Sequence, residues 1–291
     1  MKDSTLRAWL ANQILMVILY APKILPYPLR IRLMGWVAAH VIAPIAGYDK
    51  RATANLTLTC PHLPNAEITR IARAASNNAG RAFGEMYSRK AFFKRIAKTE
   101  FTGPGLAHLQ AAQKAKRPII AVSGHFGNYD VLRALFTRAG HQVGGLYRPM
   151  SNVYFNAHYT RQVTAISAPS FEQGRRGLAG MIKHLRSGNM IALLTDQRDP
   201  DGAKLRFFGQ PVLTPLSAAE MALKYDALLI PAYGIRRENG LDFDAILDHP
   251  IAHSDPETMM QQINDSLEAQ VRAHMGQWLW IHRRWKMPND A

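Results

Sequence analysis

Residues 124–130 read Gly-His-Phe-Gly-Asn-Tyr-Asp, a histidine followed five positions later by an aspartate, with two glycines in the same turn. Imidazole exchanges a proton near neutral pH, and a neighbouring carboxylate fixes its tautomer and stabilises the imidazolium. Positions five apart on a regular α-helix point about 140° away from each other. His125 and Asp130 therefore meet only if the histidine lies in the turn and the aspartate in the first turn of a following helix. There the carboxylate would sit by the positive end of the helix dipole. The flanking glycines would leave a niche for a ligand. The same residues equally suit a turn histidine bonded to backbone, with Asp130 as a helix cap.

The surroundings supply the elements that this geometry needs. Ile119–Val122 is a short apolar run, and Val131, Leu132, Leu135 and Phe136 recur at helical spacing until Gly140. That pattern predicts a strand, a turn and a helix. Val143–Tyr147 reads as a second strand, and Arg148 leaves its end either as an anion clamp or as a rim salt bridge. Met190–Leu194 is fully apolar and reads as a buried strand running into Thr195-Asp196-Gln197. An acidic residue there either faces the ligand crevice of an open α/β sheet or caps the next turn.

Other chemistries lack their residues. No Gly-x-Ser-x-Gly elbow, phosphate-binding loop or His-Glu-x-x-His pattern is present. Cys60, the one cysteine, sits in a Thr-Cys-Pro turn with no apparent base, which excludes an intramolecular disulfide and a cysteine-built metal site. A His/Asp pair without a protein nucleophile suits direct transfer: the histidine deprotonates a substrate hydroxyl, which attacks an acyl or similar electrophile. Charge then grows on the carbonyl oxygen, where backbone N–H groups of the turn or Arg148 would stabilise it. No metal or cofactor enters that scheme.

Composition permits a large core and points to anionic partners. Of 291 residues 47% are apolar, and Lys and Arg outnumber Asp and Glu by 36 to 21, a formal charge of +15. Nucleic acid, anionic headgroups, phosphorylated substrates and acidic carrier proteins all fit such a surplus. The first 48 residues narrow this field. Leu6–Leu25 is mostly apolar, and Met34–Tyr48 is apolar but broken by Pro44 and Gly47. The clean core Ile14–Ala21 falls short of the ~20 residues that span hydrocarbon, although Arg7 and Lys23 could snorkel. Arg30 and Arg32, between the stretches, suit phosphate headgroups. The expected organisation is a membrane-anchoring helical segment over 1–48, spanning or lying in the plane, and a catalytic domain over 49–291. A pair of buried helices is the alternative.

Arg51–Arg95 looks helical. Strands and helices alternate from Pro118 to Ala232, which argues for an α/β fold with a mainly parallel or mixed central sheet flanked by helices. Gly202–Thr214 reads as a loop with Phe207-Phe208 exposed, and Thr214-Pro215 as the start of a helix. Asp255-Pro256 starts another, with a core-facing stripe from Met259 to Met275. Trp278, Trp280 and Trp285, among basic residues, suit a membrane interface as well as they suit packing.

Together these blocks resemble the bacterial lipid A biosynthesis (late) acyltransferases, within the lysophospholipid acyltransferase superfamily. The carriers are the H-x4-D of His125 and Asp130, Tyr147-Arg148-Pro149 with Asn152, Arg176-Gly177, Thr195-Asp196-Gln197, Phe207-Phe208-Gly209 with Thr214, and Gln277–Trp285. Many late acyltransferases carry glutamate where this chain has Asp130, and Thr214–Ala218 replaces a Gly-containing helix start. The resemblance implies transfer of a fatty acyl chain from an acyl-carrier-protein thioester to a hydroxyl of an anionic glycolipid, a lipid A precursor, at the cytoplasmic face of the inner membrane. It implies His125 as general base and Asp130 as its orienting partner. Asn128, Arg148, Asn152, Arg176 and Asp196 become candidate substrate-site positions. Other lipid hydroxyls are the nearest alternative acceptors. A non-catalytic basic protein on nucleic acid or membrane is the rival of a different class; on the favoured reading nucleic acid is not a partner.

Overall fold

The short apolar runs do form strands, and the 3.6-period stretches between them form helices. The computed structural model describes residues 2–287, so Met1 and residues 288–291 of the two expected segments lie outside it. It opens with α1 (Lys2–Tyr20), α2 (Tyr27–Val37), α3 (Ala43–Ile45), α4 (Tyr48–Thr59), α5 (Asn65–Met86) and α6 (Arg89–Arg95). Next come β1 (Phe101–Thr102), α7 (Leu106–Lys114), β2 (Ile119–Ser123), α8 (Tyr129–Arg138) and β3 (Val143–Tyr147). They are followed by α9 (Val153–Ile166), β4 (Ser170–Glu172), α10 (Arg175–Arg186) and β5 (Met190–Leu194). A hairpin of β6 (Ala203–Phe207) and β7 (Gln210–Thr214) leads to α11 (Ser217–Lys224), β8 (Leu228–Arg236), β9 (Phe243–Leu247) and α12 (Pro256–Ala273).

Seven strands form one sheet in the order β1-β9-β8-β2-β5-β3-β4, parallel at every pairing except β8 with β9. Period-2 alternation gives β2 two apolar faces. Ile119 and Ala121 pack with Val131, Leu132, Leu135 and Phe136 of α8. Ile120 and Val122 pack with Met181 and Leu185 of α10 and Met259, Met260 and Ile263 of α12. The sheet is thus covered on both sides, as a parallel sheet requires.

Strand order decides which loops meet at the top of the sheet. After β2 the chain passes to β3 and β4 and then returns to place β5 directly beside β2. Ser123 and Leu194 are register partners at the carboxyl ends of those two strands. His125 and Asp196 each stand two residues beyond that pair. This is the crevice in which open α/β sheets hold ligands.

Several expectations change. Residues 202–214 are the β6/β7 hairpin instead of an exposed loop, and Phe207 and Phe208 are buried against Trp278, Trp280 and Trp285. All three tryptophans lie inside, Trp278 and Trp280 with no exposed surface. Burial of large side chains at roughly 1.5–3 kcal/mol each explains why this aromatic cluster packs inward. Thr214 ends β7 and accepts a hydrogen bond from Arg284, so α11 begins at Ser217 and not at Pro215. Asp255 does cap α12, accepting from the Thr258 N–H at 2.9 Å.

Residues 6–25 do not make one straight helix: α1 ends at Tyr20 and a 3-10 turn follows over Ala21–Ile24. Among the described residues no single helix is long and apolar enough to cross a membrane. Tyr27–Ile45 with Tyr48–Thr59 passes that test only as a pair bent by 88°. Arg30 does not point to headgroups; its guanidinium is held by the carbonyls of Pro22, Lys23 and Leu25 and by Ser88. Yet Leu6, Trp9, Leu10, Ile14, Val17, Ile24, Leu29, Leu33, Trp36 and Ile45 are exposed. Large apolar side chains concentrated on one segment mark an interaction surface more than chance exposure does.

Candidate active site

The turn between β2 and α8 is built before any substrate arrives. Gly127 has φ +56°, and a Cβ there would stand 1.9 Å from the Gly234 carbonyl oxygen, so β8 approaches too closely for a side chain. At Gly124 a Cβ would meet Leu267 and the Asp196 carboxylate. The glycines therefore admit the protein's own groups, and the ligand niche expected there is filled. The carboxyl-terminal segment clips the turn from outside: Gly127 N–H donates to the Gln277 carbonyl and Leu279 N–H to that of His125.

Beneath the clip lies a buried polar network. Asn128 caps α8, accepting from the Asp130 N–H and donating to Glu85 at 2.7 Å. Glu85, fully buried, also takes two hydrogen bonds from Arg236, whose Nε donates to Asn78. Asn78 in turn donates to the Gly127 carbonyl. Each of these buried polar groups has a partner, as burial demands.

His125 does not pair with Asp130. Its Nδ1 lies 2.8 Å from Asp196 Oδ1, and its backbone N–H donates to Asp196 Oδ2 at 2.7 Å. Trp278 Nε1–H reaches the same Oδ2 at 2.9 Å. Burial by itself would raise the Asp196 pKa, but His125 beside it, by charge and by hydrogen bonds, holds the carboxyl well below the usual carboxylate range, with His282 adding to it. An ionised Asp196 keeps the proton on His125 Nδ1, which leaves Nε2 as the nitrogen able to accept one. Asp130 instead faces one turn along α8 to Arg133, at 2.9 Å. The reason is topological: the return of β5 to β2 delivers Asp196 to the histidine, while i,i+3 spacing on a helix delivers Arg133 to Asp130. Burial pushes the Asp130 carboxyl up, with Arg133 opposing.

His282 stands over the pair, its ring 4.7 Å from that of His125. Burial is the main cause that lowers its pKa to about 4; Asp196 opposes this, and His125 and Arg284 add to it. It is therefore neutral near pH 7, and its Nε2 has no protein partner. Ligand atoms of His125, Asp196 and His282 lie within 4.8 Å of one another, a donor set that suits a divalent cation.

A cavity of about 730 Å³ opens beside His125, within the usual range for ligand pockets. Ala121, Gly145, Ala192 and Ala232, on four strands of the sheet, make its floor. Leu132 and Phe136 of α8, Met86 and Val163 wall it. Its polar side carries His125, Tyr129, Asp130, Arg133, Arg148, Gln173 and Gln197. A trough with an apolar floor and a histidine in its lining suits a long hydrocarbon chain with a reactive end.

Residues 2–287 match the profile of the bacterial lipid A biosynthesis acyltransferases. The chain belongs to that family. It is an acyltransferase. It is 25% identical over 272 residues to the lipid A biosynthesis lauroyltransferase of Escherichia coli K12, covering 90% of this chain and 87% of the relative. Identity is also 25% over 282 residues to the lipid A biosynthesis acyltransferase of Haemophilus influenzae Rd, covering 91% and 87%. A shorter match, 24% over 186 residues, reaches the phosphatidylinositol mannoside acyltransferase of Mycobacterium tuberculosis H37Rv, covering 62% of this chain and 58% of that one.

Within this acyltransferase the residues singled out in the sequence separate into groups. His125, Asp130 and Arg148 line the cavity, and Asp196 reaches it through His125. Asn128 and Asn152 are helix caps, of α8 and α9, and Asn152 also donates to the Ala8 carbonyl, tying α1 down. Arg176 is an exposed residue in the first turn of α10 and is not part of the cavity wall. Trp278 and His282 join the site without a signal of their own in the sequence; only their place among the basic and aromatic residues of the carboxyl-terminal block marks them.

Proposed function

We propose that the acyltransferase moves a fatty acyl chain from an acyl-carrier-protein thioester to a hydroxyl of a lipid A precursor. The observation that carries this is the His125–Asp196 pair beside a trough with an apolar floor. Asp196 orients the imidazole, and His125 Nε2 takes the proton of the acceptor hydroxyl as its oxygen attacks the thioester carbon. The thiolate leaves with that proton, returned by the imidazolium. Asp130 and Arg133 hold the cavity wall, and Arg148 at its rim meets the acceptor's phosphate or the carrier. The surplus of positive charge serves an acidic carrier and an anionic acceptor. Residues 1–48 attach the chain to the inner membrane, cytoplasmic side, by their exposed apolar face, and residues 49–291 carry the reaction.

Purified protein given acyl-carrier thioester and lipid A precursor should transfer the chain. His125→Ala should lose about 10²–10⁴-fold in rate while still binding anionic liposomes; full activity in that variant would reject the catalytic assignment. The match to a mannoside acyltransferase supports a second acceptor, another anionic glycolipid. Lipid mass spectrometry of a deletion strain separates the two: loss of one secondary acyl chain from lipid A supports the first, and unchanged lipid A with another glycolipid altered supports the second.

A further inference from the structure

A hydroxyl is left without a partner in the wall of the catalytic cavity. Ser123, the last residue of β2, is 7% exposed, and its Oγ makes no hydrogen bond. By strand alternation its side chain shares the face of Ile119 and Ala121, the face that floors the trough. A buried hydroxyl left unpaired gives up its hydrogen bonds to water with nothing in the protein to replace them. Alanine at 121 and 192 shows that the same surface is built elsewhere without a polar group.

The backbone donors expected to hold the carbonyl oxygen are meanwhile committed to the fold. His125 N–H donates to Asp196, Phe126 N–H to the Gly124 carbonyl, Gly127 N–H to Gln277 and Asn128 N–H to Gly234. A fatty acyl chain lying on the alanine floor has no polar atom until its carbonyl. That carbonyl must stand by His125, two residues from Ser123.

We propose that the Ser123 hydroxyl donates a hydrogen bond to the thioester carbonyl oxygen and to the oxyanion that forms from it; this rests on the acyl-transfer reading above. Since Oγ is enclosed, it reaches the oxygen by turning about χ1 from one staggered well to the next. As the acceptor oxygen bonds to the carbonyl carbon, His125 Nε2 takes its proton and the C=O π pair moves onto the oxygen facing Ser123. Collapse re-forms C=O and breaks C–S, and the sulfur leaves with the proton from His125. Ser123 stays neutral and intact throughout.

Two measurements on the full-length protein test this. In steady-state transfer, Ser123→Ala should lower kcat by about 10²–10³-fold, the usual loss for one oxyanion donor, with KM little changed; Ser123→Thr, which keeps the hydroxyl, should recover most of it. The second measurement needs no turnover. A ¹³C-carbonyl acyl-pantetheine thioester bound to His125→Gln should show its C=O stretch shifted to lower wavenumber than in water, and Ser123→Ala added to that background should abolish the shift. A shift that persists without the hydroxyl overturns the proposal, whatever happens to kcat. Failure of the wild type to acylate a lipid A precursor rejects the acceptor instead, and the infrared result still decides Ser123.

Discussion

Two buried carboxylates lie near one another in this site and differ in almost every respect. Asp196 stands past the end of a strand, and its partners come from elsewhere in the chain: His125 from the neighbouring strand and Trp278 from the carboxyl-terminal clip. Asp130 stands in the first turn of α8, and its ion-pair partner, Arg133, comes from the next turn of the same helix. The first carboxyl is held well down and the second is pushed up. Strand order thus supplies a long-range pair suited to proton transfer, whereas helix spacing supplies a local pair suited to holding a wall. Sequence proximity to the histidine does not decide which is which.

The largest effect expected from this contrast is on catalysis. Asp196→Asn removes the group that sets the imidazole tautomer and should lower kcat by about 10³–10⁴-fold, as misorientation of a general base does elsewhere. Asp130→Asn, which keeps the shape of a wall residue, should lower kcat by no more than about tenfold, within the effect of a small shift in substrate position. Steady-state transfer on both variants reads the difference, and equal losses would erase the distinction between the two positions.

The next effect is on stability, and it falls on the other carboxylate. Arg133 donates to Asp130, to Ser167 Oγ and to the carbonyls of Val163 and Ser167, all in the interior. Asp130→Ala leaves that guanidinium buried without its counter-charge, at a cost of about 3–5 kcal/mol. Replacing both, Asp130→Ala with Arg133→Met, should recover much of the loss in urea unfolding. A double variant as unstable as the single one would mean that Arg133 matters for its other hydrogen bonds more than for the pair.

How much of this the sequence could reveal follows from the range of each interaction. The strand-turn-helix around His125 and the alternating sheet were legible, because periodicity is local and records which face is buried. Asp196 was only half legible: ending a fully apolar run, it suited the crevice and a turn cap equally. Its bond to His125 was not legible, since it depends on β5 returning beside β2, and that order leaves no trace in spacing. Phe207, Phe208 and the tryptophans were ambiguous because aromatic residues among basic ones fit a membrane interface and a core equally. Their cluster forms only once the β6/β7 hairpin meets the chain end. Ser123, inside an apolar strand, gave no signal at all.

A smaller effect separates the two regions by pH through His282, which belongs to the Asp196 side. Its pKa is about 4 in the folded chain and about 6.5 when unfolded. Between those values the unfolded state binds the extra proton, so stability is full above pH 6.5 and falls as the pH drops towards 4. The loss amounts to about 3 kcal/mol. His282→Phe keeps a ring between His125 and Trp278 and should flatten that part of the stability curve; the Asp130 side has no histidine in its pair and should leave it unchanged. A variant as acid-sensitive as the wild type would place the titration elsewhere.

The smallest expected effect is a difference in sign. The slope of stability with pH follows the protons bound by the unfolded state minus those bound by the folded one. For Asp196, whose folded pKa is depressed, the contribution is complete above the unfolded value of about 3.9 and is lost as the pH falls through the folded one. Asp196→Asn should therefore soften the acid decline. For Asp130, whose folded pKa is raised, the folded state holds a proton that the unfolded state has released, so its contribution grows as the pH falls from the folded value to about 3.9. Asp130→Asn should remove that gain and steepen the decline. Urea melts of the two variants and the wild type between about pH 5 and pH 2 compare the slopes directly. Slopes displaced in the same direction would mean that the two carboxylates, however different their partners, titrate as one buried cluster.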